Sequence, residues 1–358
     1  IEIYGRHFIN SETEEPFYIK GIAYQPGGSS AFDGKHDPLS DIETCARDIA
    51  VFQELGVNTV RVYSVNPDLN HDECMSLLAA AGIYLILDVN SPVYGQHINR
   101  EQPWETYTTA YLEHIFRVVD QFSTYTNTLA YIAGNEVISD NKKETSPYAH
   151  QTMKAVIKDL KDYIAENVDR KIPVGYSNAD VFELREELFE YLTCGEEDEI
   201  ADFFGINSYQ WCGKTTYKDS GLDKLKASYA DTKVPVFYSE FGCNEVQPRT
   251  FGEIPDLFTT MADVFSGGIA YEYSMEANNY GIVKLDESTC TAKLLPDFMT
   301  LGSLFLNTVP KVPAKLPAPE KPNKCPALYK HLEMADSGPD IAADLIDNGV
   351  EVKRGRFV

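Results

Sequence analysis

At 358 residues, 43% of them hydrophobic, the chain is long enough for one large barrel or two ordinary domains and apolar enough to bury a core. Its formal net charge of −24 excludes nucleic acid and anionic lipid as natural partners, since both demand clustered Lys and Arg, and favours a neutral ligand. No apolar stretch approaches the roughly 18 residues needed to cross a bilayer, and no charged-then-apolar leader precedes Ile1, so a soluble chain, or a trimmed one, is expected.

Apolar runs rich in β-branched and aromatic residues recur at residues 18–24, 59–63, 83–88, 129–134, 172–176, 203–209, 234–239 and 269–273. Helical periodicity fills the gaps, at residues 42–55, 72–81, 106–122, 148–167, 183–192, 222–230, 255–265 and 297–307. Nearly continuous apolar strands, each followed by a helix, argue for a parallel sheet covered on its faces, and eight such units argue for closure into an α/β (β/α)8 TIM barrel. An open doubly wound sheet is the alternative. It is disfavoured because no Gly-x-Gly-x-x-Gly follows the first strand and the polar candidates fall at strand C-terminal ends. The segment Gln25-Pro26-Gly27-Gly28 reads as a turn that a ligand can approach closely, without the Lys-Ser/Thr tail of a phosphate cradle. The barrel is expected to span residues 1–308. From Val309 onward the prolines Pro310, Pro313, Pro317, Pro319 and Pro322 predict an extended strap, and residues 309–358 are read as strap and tail, packed on the barrel or partly mobile.

Seven cysteines show no C-x-x-C pair, the histidines show no H-x-x-x-H pattern, and the run Glu196, Glu197, Asp198, Glu199 lacks the alternation of a calcium loop, so neither a metal nor another cofactor is expected. Scattered cysteines instead suggest disulfides, an oxidising compartment and secretion, with one thiol left over because the count is odd. No Asn-x-Ser/Thr sequon occurs to support secretion by glycosylation.

Two carboxylates stand out. Glu136 and Glu240 each end a short apolar run, and a pair of acids delivered by two buried strands is what acid–base and nucleophilic work on a sugar acetal needs. Strand alternation places Arg61 on one face with Thr59 and Tyr63, either held by any convenient carboxylate or lying beside Glu240 and keeping it ionised. The same alternation lines up Val236, Tyr238 and Glu240, and puts Tyr271 and Tyr273 on a common face. Asn135 supplies an amide beside Glu136; Asp88, Asn207 and Tyr209 end other strands. With Tyr63 and Trp211 these aromatics resemble stacking platforms for sugar rings more than packing tyrosines.

In register, Tyr18-Ile19-Lys20-Gly21-Ile22-Ala23-Tyr24-Gln25-Pro26-Gly27-Gly28, Thr59-Val60-Arg61-Val62-Tyr63, Ala133-Gly134-Asn135-Glu136-Val137, Ile172-Pro173-Val174-Gly175-Tyr176-Ser177, Tyr238-Ser239-Glu240-Phe241-Gly242-Cys243-Asn244 and Tyr271-Glu272-Tyr273-Ser274 resemble glycoside hydrolase family 72, the fungal β-1,3-glucanosyltransferases of Gas, Gel and Phr type. The resemblance implies a retaining mechanism with Glu136 as acid/base and Glu240 as nucleophile, their carboxyls roughly 5–5.5 Å apart. It implies that Asn135 holds the 2-hydroxyl of the reacting sugar, and that Gln25, Tyr63, Asp88, Tyr209 and one of Tyr271 and Tyr273 line donor and acceptor subsites for two β-1,3-glucan chains. It also implies the disulfides Cys45–Cys74, Cys212–Cys243 and Cys194–Cys325, leaving Cys290 unpaired, and a location at the cell surface or wall. Membrane attachment is expected only through a C-terminal lipid anchor (GPI) outside these residues. An endo-β-1,3-glucan hydrolase with the same acids is the alternative, and a non-catalytic glucan-binding wall protein a more remote one.

Overall fold

The computed structural model describes residues 1–139 and 145–358, built around a closed barrel of eight parallel strands. The strands are β1 (Ile19–Ala23), β2 (Thr59–Val62), β3 (Tyr84–Asp88), β4 (Thr128–Asn135), β5 (Val174–Ala179), β6 (Phe203–Ser208), β7 (Val236–Phe241) and β8 (Phe265–Ala270), paired in that order with β8 returning to β1. Around them lie α1 (Ile42–Leu55), α2 (Asp72–Ala80), α3 (Thr109–Ser123), α4 (Ala149–Asn167), α5 (Arg185–Thr193), α6 (Leu222–Ser228), α7 (Ile254–Phe258) and α8 (Pro296–Asn307). This is the expected TIM barrel. No helix among the described residues is long and apolar enough to cross a membrane.

Local chemistry explains the elements. In α1 the Asp41 side chain accepts the Glu43 N–H at the start, Gly56 adopts φ 81° at the end, and Cys45, Ile49 and Phe52 recur at helical spacing on the buried face. In β2 the side chains of Val60 and Val62 join the layer between sheet and helices, while Arg61 is fully buried inside the barrel.

Three departures from the sequence reading have physical causes. The helix expected from residue 106 begins at Thr109, because the Thr108 hydroxyl accepts the Tyr111 N–H as an N-cap and a separate turn, Pro103–Thr106, precedes it. The eighth strand is Phe265–Ala270, not residues 269–273, and the helix before it stops at Phe258. Its Ser266-Gly267-Gly268 reads as a turn, yet Gly267 sits at φ +95° where a β-carbon would come 2.2 Å from the Ile19 carbonyl oxygen, so only glycine lets β8 close on β1. Thirdly, a three-stranded antiparallel sheet of Glu2–Tyr4, His7–Ile9 and Pro16–Phe17 precedes the barrel. Its Phe8 ring lies 6.3 Å from Phe203 and 6.0 Å from Phe237, residues at the starts of β6 and β7. This plug closes the N-terminal end and leaves the C-terminal end of the barrel as its open mouth.

The disulfides Cys45–Cys74, Cys194–Cys325 and Cys212–Cys243 all form, and Cys290 is free and exposed. Past Asn307 the chain runs over the helices: Gly195 N–H donates to the Asn323 carbonyl, Ala335 N–H to Gln151 Oε1, Gly355 N–H to the Gln121 carbonyl and Arg356 N–H to Asp72 Oδ1. Within it Leu332 and Ala342 are buried and residues Ala343–Asn348 form a short helix.

Candidate active site

The mouth is organised by one buried cation. Arg61, carried inward on β2, donates Nε and Nη2 to Asp88 (2.9 and 2.8 Å), Nη2 also to Asn135 Oδ1 (3.0 Å), and Nη1 to Glu240 Oε2 (3.3 Å) and the Ser239 carbonyl (3.1 Å). The ends of β3, β4 and β7 are thereby tied to one guanidinium carried by β2. Burial pulls Arg61 down, but Asp88 and Glu240 outweigh it and hold it charged.

Glu240 accepts two further hydrogen bonds, from the Tyr63 hydroxyl to Oε2 (2.9 Å) and the Tyr209 hydroxyl to Oε1 (2.7 Å). Burial and the neighbouring carboxylate raise both phenols well above their ordinary range, so they remain donors. The same burial pushes the Glu240 carboxyl up to about 7, helped by the charge of Glu136 and opposed by Arg61 and the two tyrosines. The expectation that Arg61 sits beside Glu240 is met in position, but desolvation outweighs its pull.

Glu136 follows directly after β4 with its backbone at φ +50°, a left-handed conformation uncommon outside glycine. Its N–H donates to the Ser177 carbonyl (2.9 Å), and its Oε1 accepts from Asn207 Nδ2 (3.1 Å). That amide is oriented by its other end: the Ser177 and Ser239 hydroxyls reach Asn207 Oδ1 at 2.9 and 2.7 Å, so Nδ2 must face Glu136 and Asn135 Oδ1 (3.1 Å). The Asn135 oxygen is occupied by Arg61 and Asn207, and among the described residues its amide NH2 meets no acceptor, which suits it to a ligand. The two acids are linked by a chain of contacts, Glu136–Asn207–Asn135–Arg61–Glu240, with steps of 3.1, 3.1, 3.0 and 3.3 Å. A cleft of about 430 Å³ opens on the side of Asp88 and Asn135, lined among others by Tyr63, Asp88, Asn90, His97, Arg100 and Asn135.

Two alternation arguments fail. Val236 and Tyr238 belong to the helix-facing layer while Glu240 faces the mouth, because a register shift between Tyr238 and Glu240 flips the side-chain alternation of β7. Tyr271 and Tyr273 part company once β8 ends at Ala270. The Tyr273 hydroxyl donates to Asp48 Oδ1 (2.7 Å) and its ring packs against Tyr24 and Phe52, wholly buried behind the barrel wall. Tyr271 is the tyrosine at the mouth, its ring 6.4 Å from Tyr63 and 6.5 Å from Tyr209. Gln25 is bound to the loop after β2, accepting the Tyr63 and Ser64 N–H groups at 3.1 Å each. Trp211 packs half-buried against the outer core.

Sequence reasoning missed Ser177, Ser239, Arg100 and Tyr280. The two serines sat inside motifs already singled out; Tyr280, whose ring lies 5.3 Å from Tyr271 and 5.7 Å from Tyr209, is beyond the last apolar run, in a stretch that matches neither a strand nor a helix pattern.

Comparison with known proteins agrees with this fold. The pattern of the family described as Glucanosyltransferase matches residues 1–309. The 1,3-beta-glucanosyltransferase GAS4 of Saccharomyces cerevisiae is 48% identical over an alignment covering 100% of this chain and 77% of that protein. The 1,3-beta-glucanosyltransferase gel2 of Aspergillus fumigatus is 48% identical over 85% of this chain and 64% of its own length. The structure of Saccharomyces cerevisiae Gas2p in complex with laminaritriose and laminaritetraose superposes with a TM-score of 0.85 at 40% identity, over 96% of this chain and 78% of that one.

Proposed function

The chain belongs to glycoside hydrolase family 72, the glucanosyltransferases, and on that premise we propose that it is a retaining β-1,3-glucanosyltransferase acting on cell-wall glucan. The observation that carries the site assignment is the setting of Glu240: three donors, Arg61, Tyr63 and Tyr209, surround its carboxylate as an acceptor. Those donors oppose the burial that raises the Glu240 carboxyl to about 7, so an ionised fraction, aimed by the same three groups, is present near and above that pH and is the form that attacks.

In the first step a Glu240 oxygen bonds to the anomeric carbon while the bond from that carbon to the glycosidic oxygen breaks, and Glu136 delivers its proton to the departing oxygen. In the second, Glu136 takes the proton of an acceptor 3-hydroxyl, that oxygen bonds to the anomeric carbon, and Glu240 leaves as carboxylate. Asn135, through the amide NH2 left over by its other contacts, serves the 2-hydroxyl of the reacting sugar. Tyr63, Tyr209 and Tyr271 offer ring faces to the chain, and Gln25, Asp88 and Asn207 hold these groups in place. Transfer exceeds hydrolysis to the extent that the cleft keeps an acceptor chain in line ahead of water.

Three disulfides fit an oxidising compartment, and we place the enzyme outside the cell, at the surface or in the wall, with any membrane attachment through a lipid anchor.

The test is to incubate the protein with one defined β-1,3-oligosaccharide and size the products. Chains longer than the substrate are expected; shorter chains alone identify an endo-hydrolase. Glu240→Gln should abolish both outcomes while leaving the fold intact, and undiminished turnover would remove Glu240 from the nucleophile role.

A further inference from the structure

Glu136 has to aim its carboxyl from a backbone conformation that disfavours it. At φ +50° a side-chain-bearing residue sits in a sparsely populated backbone region, and relaxation toward the extended region would re-aim its Cα–Cβ bond. Such a conformation persists only where neighbours hold it. On one side its N–H is held by the Ser177 carbonyl of β5 (2.9 Å). On the other side its carbonyl oxygen accepts from Arg100 Nη2 (2.7 Å), while Arg100 Nη1 donates to the Ser139 hydroxyl (2.8 Å). The Arg100 carbonyl in turn accepts the Ser146 N–H (2.7 Å), so one residue of the loop after β3 bridges both ends of the segment that follows Glu136. Arg100 also lines the cleft, only partly buried, next to His97, Ile98 and Val137.

We propose that Arg100 is a positioning residue for the acid/base: by holding the Glu136 carbonyl and the Ser139 hydroxyl it fixes the left-handed turn that keeps the Glu136 carboxyl on the glycosidic oxygen. The proposal rests on Glu136 being the acid/base. Arg100 touches no reacting atom; its effect is transmitted through the Glu136 backbone. A guanidinium is suited to the task because its rigid planar fork reaches two acceptors from two different nitrogens in fixed geometry, whereas an ammonium is a single point donor on a flexible stem.

A pair of substrates separates this role from general support of the fold. A laminarioligosaccharide needs its leaving group protonated, whereas a 2,4-dinitrophenyl β-laminarioside does not, and the pre-steady-state burst of dinitrophenol reads the first step alone. Arg100→Met should lower kcat for the oligosaccharide 10- to 100-fold with KM changed less than threefold, and lower the burst rate less than threefold. Arg100→Lys should recover part of the loss and keep the same imbalance between substrates, and it serves as the test should Arg100→Met fail to fold. Glu136→Gln is run alongside and should show the same imbalance at larger size. If Glu136→Gln lowers both substrates equally, the acid/base assignment is wrong. If Glu136→Gln shows the imbalance but the Arg100 variants lower both substrates equally, raise only KM, or change nothing, the positioning role is overturned.

Discussion

Burial and three hydrogen-bond donors pull the Glu240 carboxyl in opposite directions, and burial wins, raising it to about 7. In the unfolded chain the same carboxyl titrates near its ordinary value of 4.5, so the folded protein holds this proton over a pH range in which the unfolded chain releases it. Linkage fixes the sign: stability associated with Glu240 is fully present below about pH 4.5 and is lost as the pH rises to about 7. At 1.36 kcal/mol per pH unit the loss is about 3 kcal/mol. Glu240→Gln removes the titration but can still accept from Tyr63 and Arg61, so the variant should gain on the native protein by up to about 3 kcal/mol between pH 4 and pH 8 in urea unfolding. A stability difference that does not vary with pH would show that the folded protein does not retain the proton. How legible such a residue is depends on what decides its place. Glu136, Glu240, Arg61 and Asn135 were visible as polar groups ending or interrupting apolar runs, because a buried charge has few structural excuses. The choice between Tyr271 and Tyr273 was not visible. It turns on where β8 stops and on a carboxylate, Asp48, supplied by α1 from 225 positions away in sequence.

At the level of elements, seven of the eight strands coincide with apolar runs read from the sequence, because strands covered on both faces have no polar face to interrupt them. The eighth was displaced by Gly267 and Gly268, since glycine carries a turn signal whether it marks a turn or a point of close approach. The N-terminal sheet escaped notice because strands of three, three and two residues are too short for any periodicity to register. Glu240 shows the converse: it reaches the mouth by a register shift in β7, an event with no signature in the alternation it breaks. Gly267 therefore carries a sharp prediction. Gly267→Ala must accommodate a β-carbon both at φ +95° and within 2.2 Å of the Ile19 carbonyl oxygen, so the β8–β1 seam has to move. The cost should be about 3 kcal/mol or more, read as a drop in melting temperature or loss of folded protein; a variant within 1 °C of the native protein would show that the seam is not held by that contact.

For the whole molecule, a barrel closed on itself leaves its two ends to be finished by other parts of the chain, and they are finished differently. Phe8 plugs the N-terminal end, whereas the C-terminal end is kept open by Arg61, whose charge is neutralised by acids that also serve the mouth. The strap passes the plug at Gly5, which packs against Pro317 and Pro319, and then runs along the helices, pinned by hydrogen bonds to Gln151, Gln121, Asp72 and Ser76 and by the bond between Cys194 and Cys325, which joins residues 131 positions apart. Its extended course was legible from its prolines, while its docking was not, because the partners are single polar groups scattered over α2, α3 and α4. A cross-link over so long a loop acts mainly by limiting the unfolded chain. Cys194→Ala combined with Cys325→Ala should therefore lower unfolding free energy by about 2–4 kcal/mol, and amide exchange should quicken first at Gly195 and over residues 326–358, with the barrel strands last. Transfer activity at low temperature should be retained, since neither cysteine approaches the acid pair. An unchanged unfolding free energy would mean that the strap's hydrogen bonds hold it without the cross-link, and exchange that quickens first in the strands would mean that the barrel depends on the strap for its closure.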